Sequence, residues 1–284
     1  MGLVPITQLL ADARKQKYAV GAFNIVNLET LQAVVTAAEA ENSPVIVQVW
    51  HGDLSHAGLP YLSALARVAA ESVSVPVALQ LDHGQSYAQA MTCIDAGFSS
   101  VMIDLASSDF QENVRRTKEV VQAAHARNVS VEAELGQIFD GQSSIEQRNS
   151  GLTDPKLAAK FVRETGVDAL AVSIGTAHGL YAAKPVVDFT RLETIINTIQ
   201  APVVIHGGSN TPDDDIRRMV QLGVAKVNIG TDLMIAFLQG LRDTLASDDP
   251  RLAVRDVLGQ AREYTYKVTR QKIQLLNTYR YKVK

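Results

Sequence analysis

Eight short runs rich in Val, Ile and Ala recur along the chain, at 18–25, 44–49, 75–81, 100–103, 129–135, 169–174, 202–205 and 225–229, each closing on polar residues or glycine. Their hydrophobicity is continuous rather than alternating, as expected for strands covered on both faces in a parallel sheet. Helical patterns lie between them. The stretch 28–41 sets Leu31, Val34 and Val35 on one face, and 110–127 does the same with Val114, Val120, Val121 and Ala124. Two further helices are marked by their starts, Thr153-Asp154-Pro155 and Thr211-Pro212 followed by Asp213, Asp214 and Asp215. Each offers a capping residue, a proline in the first turn and, in the second, acids beside the positive end of the helix dipole. Strand and helix alternating at about 30-residue intervals without a linker predict an α/β fold, one (β/α)₈ TIM barrel rather than two doubly wound halves. On this reading residues 1–284 form a single domain with a C-terminal helical extension over about 251–284.

Composition agrees with a barrel and excludes other classes. The chain is 46% apolar and 20% charged with 18 Gly and 9 Pro, which excludes disordered and collagen-like chains. At 284 residues it can bury about three quarters of its unfolded surface, so it needs no disulfide or structural metal to fold. A net charge of −3 with no basic stripe argues against nucleic acid, and no apolar run approaches the roughly 18 residues of a membrane span. The single Cys93 and the lack of a secretory leader predict a reducing, cytoplasmic setting. Two segments depart from the strand–helix rhythm. The Gly/Ser/Gln-rich stretch 137–151 reads as a mobile loop over the active face, because connections of that length are usually functional. The last helix carries Arg262, Lys267, Arg270, Lys272, Arg280, Lys282 and Lys284 and reads as a solvated basic face.

In such a barrel the C-terminal ends of the strands meet at one mouth, so chemistry should collect there. The third run ends Leu81-Asp82-His83-Gly84, the fourth leads to Asp104, the fifth carries Glu134, and the sixth runs out to His178-Gly179. The seventh ends His206-Gly207-Gly208-Ser209 and the eighth Asn228-Ile229-Gly230-Thr231. Three imidazoles on converging strand ends, with a fourth position open, suit a catalytic zinc ion. His51 also follows a strand, so position alone leaves the ligand choice open; His56 and His125 read as surface histidines. Asp82 either faces the substrate as a general acid/base or orients a ligand. Glu134 and Asp104 offer an alternative metal position or outer contacts, the outer role being preferred for Asp104. The glycines after runs seven and eight, with the helices that follow, occupy the usual phosphate site of the barrel.

Together, Ala22-Phe23-Asn24, Leu81-Asp82-His83-Gly84 and the stretches 99–104, 130–136, 175–181, 204–209 and 226–232 resemble the class II, zinc-dependent ketose-bisphosphate aldolases. The nearest members by resemblance are the fructose- and tagatose-bisphosphate aldolases, and the similarity covers residues 5–275. The resemblance implies a carbohydrate-metabolising aldehyde-lyase that cleaves a phosphorylated ketose to dihydroxyacetone phosphate and an aldehyde. It implies Zn2+ on His83, His178 and His206, with Glu134 as another metal position, Asp82 as carrier of the C4 hydroxyl proton and Asn228 against the enediolate. It further implies that Gly179, Gly207, Ser209 and Thr231, beside Gly208 and Gly230, hold the C1 phosphate with a monovalent cation, Na+ or K+, nearby. A homodimer or homotetramer is expected, with a small-molecule sugar phosphate as partner.

Several positions depart from the family pattern. The Gly-Gly and acids usual in the mobile loop give way to Gln142 and Ser143, leaving Asp140 or Glu146 as substitute bases. Trp50 replaces the usual Ser or Thr after the second strand, Ala182 replaces a lysine with Lys184 two places on, and Asn277-Thr278 replaces a Gly-Ser. The arginine for the distal phosphate aligns with Gly259, with Arg262 near. These departures leave open a sugar 1-phosphate without a distal phosphate, or a sugar-phosphate-binding barrel without turnover. A Schiff-base aldolase would need an interior lysine, but 168–174 has none and Lys226 is expected at the far end of its strand. A metal hydrolase would want a His-x-His pair on the first strand, where only Asn24 is available.

Overall fold

The computed structural model describes residues 2–247 and 249–276. Its eight strands are β1 (Val20–Asn24), β2 (Val45–Trp50), β3 (Val77–Gly84), β4 (Ser100–Ile103), β5 (Ser130–Leu135), β6 (Ala169–Val172), β7 (Val203–Ile205) and β8 (Val224–Ile229). They pair in parallel, each with the next in sequence, and β8 closes on β1. The helices are α1 (Ile6–Gln16), α2 (Leu28–Ala40), α3 (Leu54–Ala57), α4 (Leu59–Glu71), α5 (Tyr87–Asp95), α6 (Phe110–His125), α7 (Ile145–Ser150), α8 (Pro155–Thr165), α9 (Phe189–Thr198), α10 (Asp213–Leu222), α11 (Thr231–Leu245) and α12 (Val254–Leu275).

Alternation along the strands separates two cores. Outward residues such as Val45, Val47, Leu79, Leu81, Val131, Val172, Ile205 and Val227 pack under the helices. Inward Val20, Ala22, Ile46, Ala78, Met102, Ala169, Ala171 and Ala225 fill the lower barrel, and Ile6, Leu9, Leu10 and Ala13 of α1 stopper it from below. Higher up, the inward positions are Gln48, Gln80, Asp82, Glu132, Glu134, Lys226 and Asn228, all buried. The apolar runs are therefore continuous only in the lower half of the barrel, and polar groups take every second position toward the mouth.

Helix starts follow the chemistry of their caps. Asn27 accepts from the Thr30 N–H at 2.9 Å, and Asp154 accepts from the Lys156 and Leu157 N–H groups at 2.8 and 2.9 Å. α10 differs from expectation: Pro212 holds the cap position, and the Thr211 hydroxyl donates to the Gly207 carbonyl at 2.7 Å instead. α12 lies across α11 and α2, so close that a Cβ on Gly240 would come within 2.7 Å of Ala261 Cα. Its cations are largely paired rather than free. Arg270 meets Glu41, Lys272 meets Asp232 at 2.7 Å and Arg262 donates to Gln32 at 2.8 Å. Asn277, Thr278, Arg280, Lys282 and Lys284 lie outside the described residues. The 137–151 segment holds the short α7, and its Gly141 N–H donates to the His178 carbonyl at 2.6 Å.

Candidate active site

Adjacent residues of a strand face opposite ways, so Asp82 and His83 could not both reach the mouth from a regular β3. The β3–β4 register shifts between Leu81 and Gly84, and His83 adopts φ +52°, a left-handed conformation rare for a residue with a side chain. This bulge turns both side chains into the same cavity. The cavity holds about 800 Å³, is lined by Asn24, Asp82, His83, Asp104, His178, His206 and Asn228 among others, and opens at the C-terminal ends of the strands.

His83, His178 and His206 meet at its floor. His206 Nδ1 lies 2.9 Å from His83 Nε2 and 3.4 Å from His178 Nε2. The other nitrogens of two rings are already engaged, His83 Nδ1 with Asp104 at 2.7 Å and His206 Nε2 with Glu132 at 2.9 Å. Carboxylates accept only, so each of those nitrogens carries the proton and the nitrogens facing inward present lone pairs. Lone pairs converging at such distances repel unless a cation lies among them, and these donors are the ones zinc selects. Burial and the neighbouring His83 and His206 push His178 down, favouring its neutral, ligating form. Burial opposes charge on His83 too, but Asp82 and Asp104 raise it to about 9; a metal cation answers the same demand in competition with the proton.

A second potential set, His83, Asp104 and Glu134, has ligand atoms within 4.8 Å of one another. Glu134 Oε2 is buried without a hydrogen-bond partner among the described residues, and burial, then the nearby Asp104, raises its carboxyl well above the usual range. That is a carboxylate awaiting a cation or a proton.

Asp82 is held by two amides. Asn24 Nδ2 donates to Oδ2 at 2.8 Å and Asn228 Nδ2 to Oδ1 at 3.2 Å. Behind them Gln48 Nε2 donates to Asn24 Oδ1 at 2.9 Å, and Lys226 Nζ to Asn228 Oδ1 at 2.6 Å. An ammonium only donates, so Lys226 decides which way the Asn228 amide faces. Burial works against charge on Asp82, but His83, His206 and Lys226 hold it below the ordinary aspartate value. Lys226 also pairs with Glu132 at 2.8 Å, both side chains fully buried, and Gln80 donates to the same carboxylate at 3.0 Å. Lys226 is thus inside the barrel near the mouth rather than at its far end, and its ion pair leaves no free amine for a Schiff base. Glu132, Gln48 and Gln80 do not stand out in the sequence, although each lies two residues from a group that does, and Lys226 draws attention there only as a lysine set aside for a Schiff base.

The phosphate candidates divide. Gly179, Gly207, Ser209, Gly230 and Thr231 line the cavity, and α11 directs its N-terminus there with no side-chain cap. Gly207 has φ +73°, and a Cβ there would strike the Ala177 carbonyl. Gly208 does not line the cavity; its N–H donates to the Asn228 carbonyl at 2.9 Å, which removes it as a phosphate donor. Trp50 and His51 line another wall, joined at its rim by the exposed His56. His51 stands outside both potential ligand sets. His125, by contrast, pairs with Asp168 at 2.8 Å on the surface.

The substitute residues proposed for the altered positions are not among those that line the cavity, although Asp140 is bridged to His178 and its Oδ2 lies beside Gly179. Asp140 is exposed and caps its own turn, accepting from Gln142 N–H at 2.8 Å, while Glu146 sits exposed on α7. Lys184 is exposed outside the cavity, and Arg262 lines a groove between α2, α4 and α12 on the outer face of the barrel.

Residues 4–280 match the family described as Fructose-bisphosphate aldolase class-II. The chain belongs to that family. It is 41% identical over 266 residues to the fructose-bisphosphate aldolase of Geobacillus stearothermophilus, covering 93% of each chain. It is 38% identical to that of Thermus caldophilus over 97% of this chain and 98% of the relative. Among solved structures it is similar to the YdjI aldolase of Escherichia coli K12, with TM-score 0.86 and 32% identity over 97% of this chain and 98% of that one. Membership makes this chain a class II aldolase, a lyase acting on a phosphorylated ketose, in a metal-dependent family. Among the described residues no helix is long and apolar enough to cross a membrane.

Proposed function

We propose that this aldolase reversibly cleaves a ketose bearing a 1-phosphate to dihydroxyacetone phosphate and an aldehyde, with zinc on His83, His178 and His206. The observation that carries the proposal is the convergence of three imidazole lone pairs, two of them aimed by the carboxylates of Asp104 and Glu132. A bound ion supplies Lewis acidity to the ketose carbonyl. Asp82, kept as a carboxylate by Asn24 and Asn228, takes the C4 hydroxyl proton as the C3–C4 bond breaks and the aldehyde forms. Asn228 Nδ2 is then the donor nearest the charge developing on the triose half. Glu134 offers the alternative metal position. Gly179, Gly207, Ser209, Gly230 and Thr231 bind the phosphate through backbone N–H groups, hydroxyls and the α11 dipole, with a monovalent cation, Na+ or K+, beside it. Met234, Ile235 and Leu238 leave an exposed apolar stretch on α11, which supports assembly as a homodimer or homotetramer. The buried, unpaired Cys93 suits a cytoplasmic setting.

The test is a panel of ketose 1-phosphates and 1,6-bisphosphates assayed with zinc, coupled to triose-phosphate detection. Release of triose phosphate is expected. Binding of these sugars without any release would mean a sugar-phosphate sensor instead.

A further inference from the structure

The register partners of Lys226 on the flanking strands are Val20 and Val204, both inward-facing and fully buried, so its backbone belongs to the apolar layer of the barrel. Its side chain leaves that layer toward the mouth, where Nζ meets Glu132 at 2.8 Å and donates to Asn228 Oδ1 at 2.6 Å. Both charged side chains are fully buried within their own chain, out of reach of any neighbouring subunit. A buried ion pair often does no more for stability than apolar residues of similar volume. Valine fills the same level on both neighbouring strands, so packing alone does not call for a lysine there.

The bonds around Asn228 show what the ammonium does. With Oδ1 on Lys226, Nδ2 lies 3.2 Å from Asp82 Oδ1 and 3.1 Å from His206 Nε2. That imidazole nitrogen carries its proton toward Glu132, so it sets donor against donor and gives Asn228 no bond. A reversed amide would gain there, because its oxygen could accept from His206 Nε2. The reversal would also turn lone pairs, in place of a donor, toward the charge developing on the triose half. Asp82 opposes it only as a carboxylate, and a carboxyl group holding the C4 proton can donate to an amide oxygen. Lys226 opposes it throughout, since an ammonium has no lone pair to offer an amide NH2.

We infer that Lys226, held by Glu132, is a positioning residue that keeps the Asn228 amide nitrogen toward the triose half of the substrate while the C3–C4 bond breaks. This rests on the aldol reading proposed above.

The experiment compares the full zinc-loaded chain with a paired variant, Glu132→Gln with Lys226→Met, which leaves no unpaired charge inside the barrel. Triose-phosphate release by the unsubstituted chain checks the aldol reading by itself. In the paired variant kcat should fall by about 10²-fold, the usual cost of losing one oriented donor, with a smaller change in KM and zinc content unchanged. Asn228→Ala should lose about as much, and adding the paired substitution to it should cost little more, because residues that act through one another are not additive. A merely structural ion pair would lower kcat by the same factor in both backgrounds. That result overturns the proposal, as does a paired variant with the unsubstituted chain's kcat. Neutron diffraction from crystals of the unsubstituted, zinc-loaded chain tells amide nitrogen from oxygen and does not depend on any variant folding. The Asn228 nitrogen is expected toward Asp82 and the oxygen toward Lys226; the reverse overturns the proposal. Absence of triose-phosphate release from the unsubstituted chain removes the aldol reading and the positioning role with it.

Discussion

Around the strand ends of the mouth, the working groups project from strands or from the turns directly after them, and each is tied to a polar partner. His206 rests on Glu132, Asn228 on Lys226, and Asp82 on Asn24 and Asn228. After β2, Trp50 at the strand end, His51 and Asp53 on the turn and His56 on the short α3 are partly open to solvent. The first arrangement fixes atoms to the tolerance that bond breaking needs, and the second can change its side chains without disturbing the barrel. One cavity thus joins a rigid strand side to a more adaptable turn side.

Substitutions should separate the two sides, beginning with the largest effect. Asp82→Asn keeps the side chain's shape but sets its NH2 against the amide of Asn24 or Asn228 and loses the proton acceptor, so kcat should fall by about 10²–10⁴-fold while the zinc content stays near that of the unsubstituted protein. Near-normal turnover would remove Asp82 as proton carrier. Lys226→Met should leave Glu132 as a buried charge short of its cation, destabilising the fold by about 3–5 kcal/mol in denaturant titration. A variant as stable as the parent would show that the interior network is no keystone of the strand side. The turn side should respond more mildly, with Trp50→Ala shifting KM and leaving the melting transition nearly unmoved.

Much of the strand side is legible in the sequence because a barrel brings strand ends together whatever their separation along the chain. Asp82, His83, His178, His206 and Asn228 can be placed at one mouth from the eight runs alone. The interior network is less visible. Glu132 and Lys226 lie inside runs otherwise dominated by Val, Ile, Leu and Ala, and only attention to every second position, 132 with 134 and 226 with 228, separates them from the core. The stopper role of α1 is equally hidden, although Ile6, Leu9, Leu10 and Ala13 carry helical spacing. The bulge at His83 leaves no mark in residue type, since its φ of +52° is imposed by the fold. Lys184 and Arg262 are near the altered positions in sequence but do not line their own chain's cavity, and nearness along a chain says little about the direction a side chain takes.

On the proposed mechanism, cleavage depends on an ion held by the three converging imidazoles. The most direct test is triose-phosphate release measured after exhaustive chelation and again after stoichiometric zinc, with metal content determined in parallel. Activity should disappear as the metal leaves and return on addition of about one zinc per chain, the number a three-histidine site with one open position accommodates. Undiminished cleavage by metal-free protein would contradict the zinc assignment.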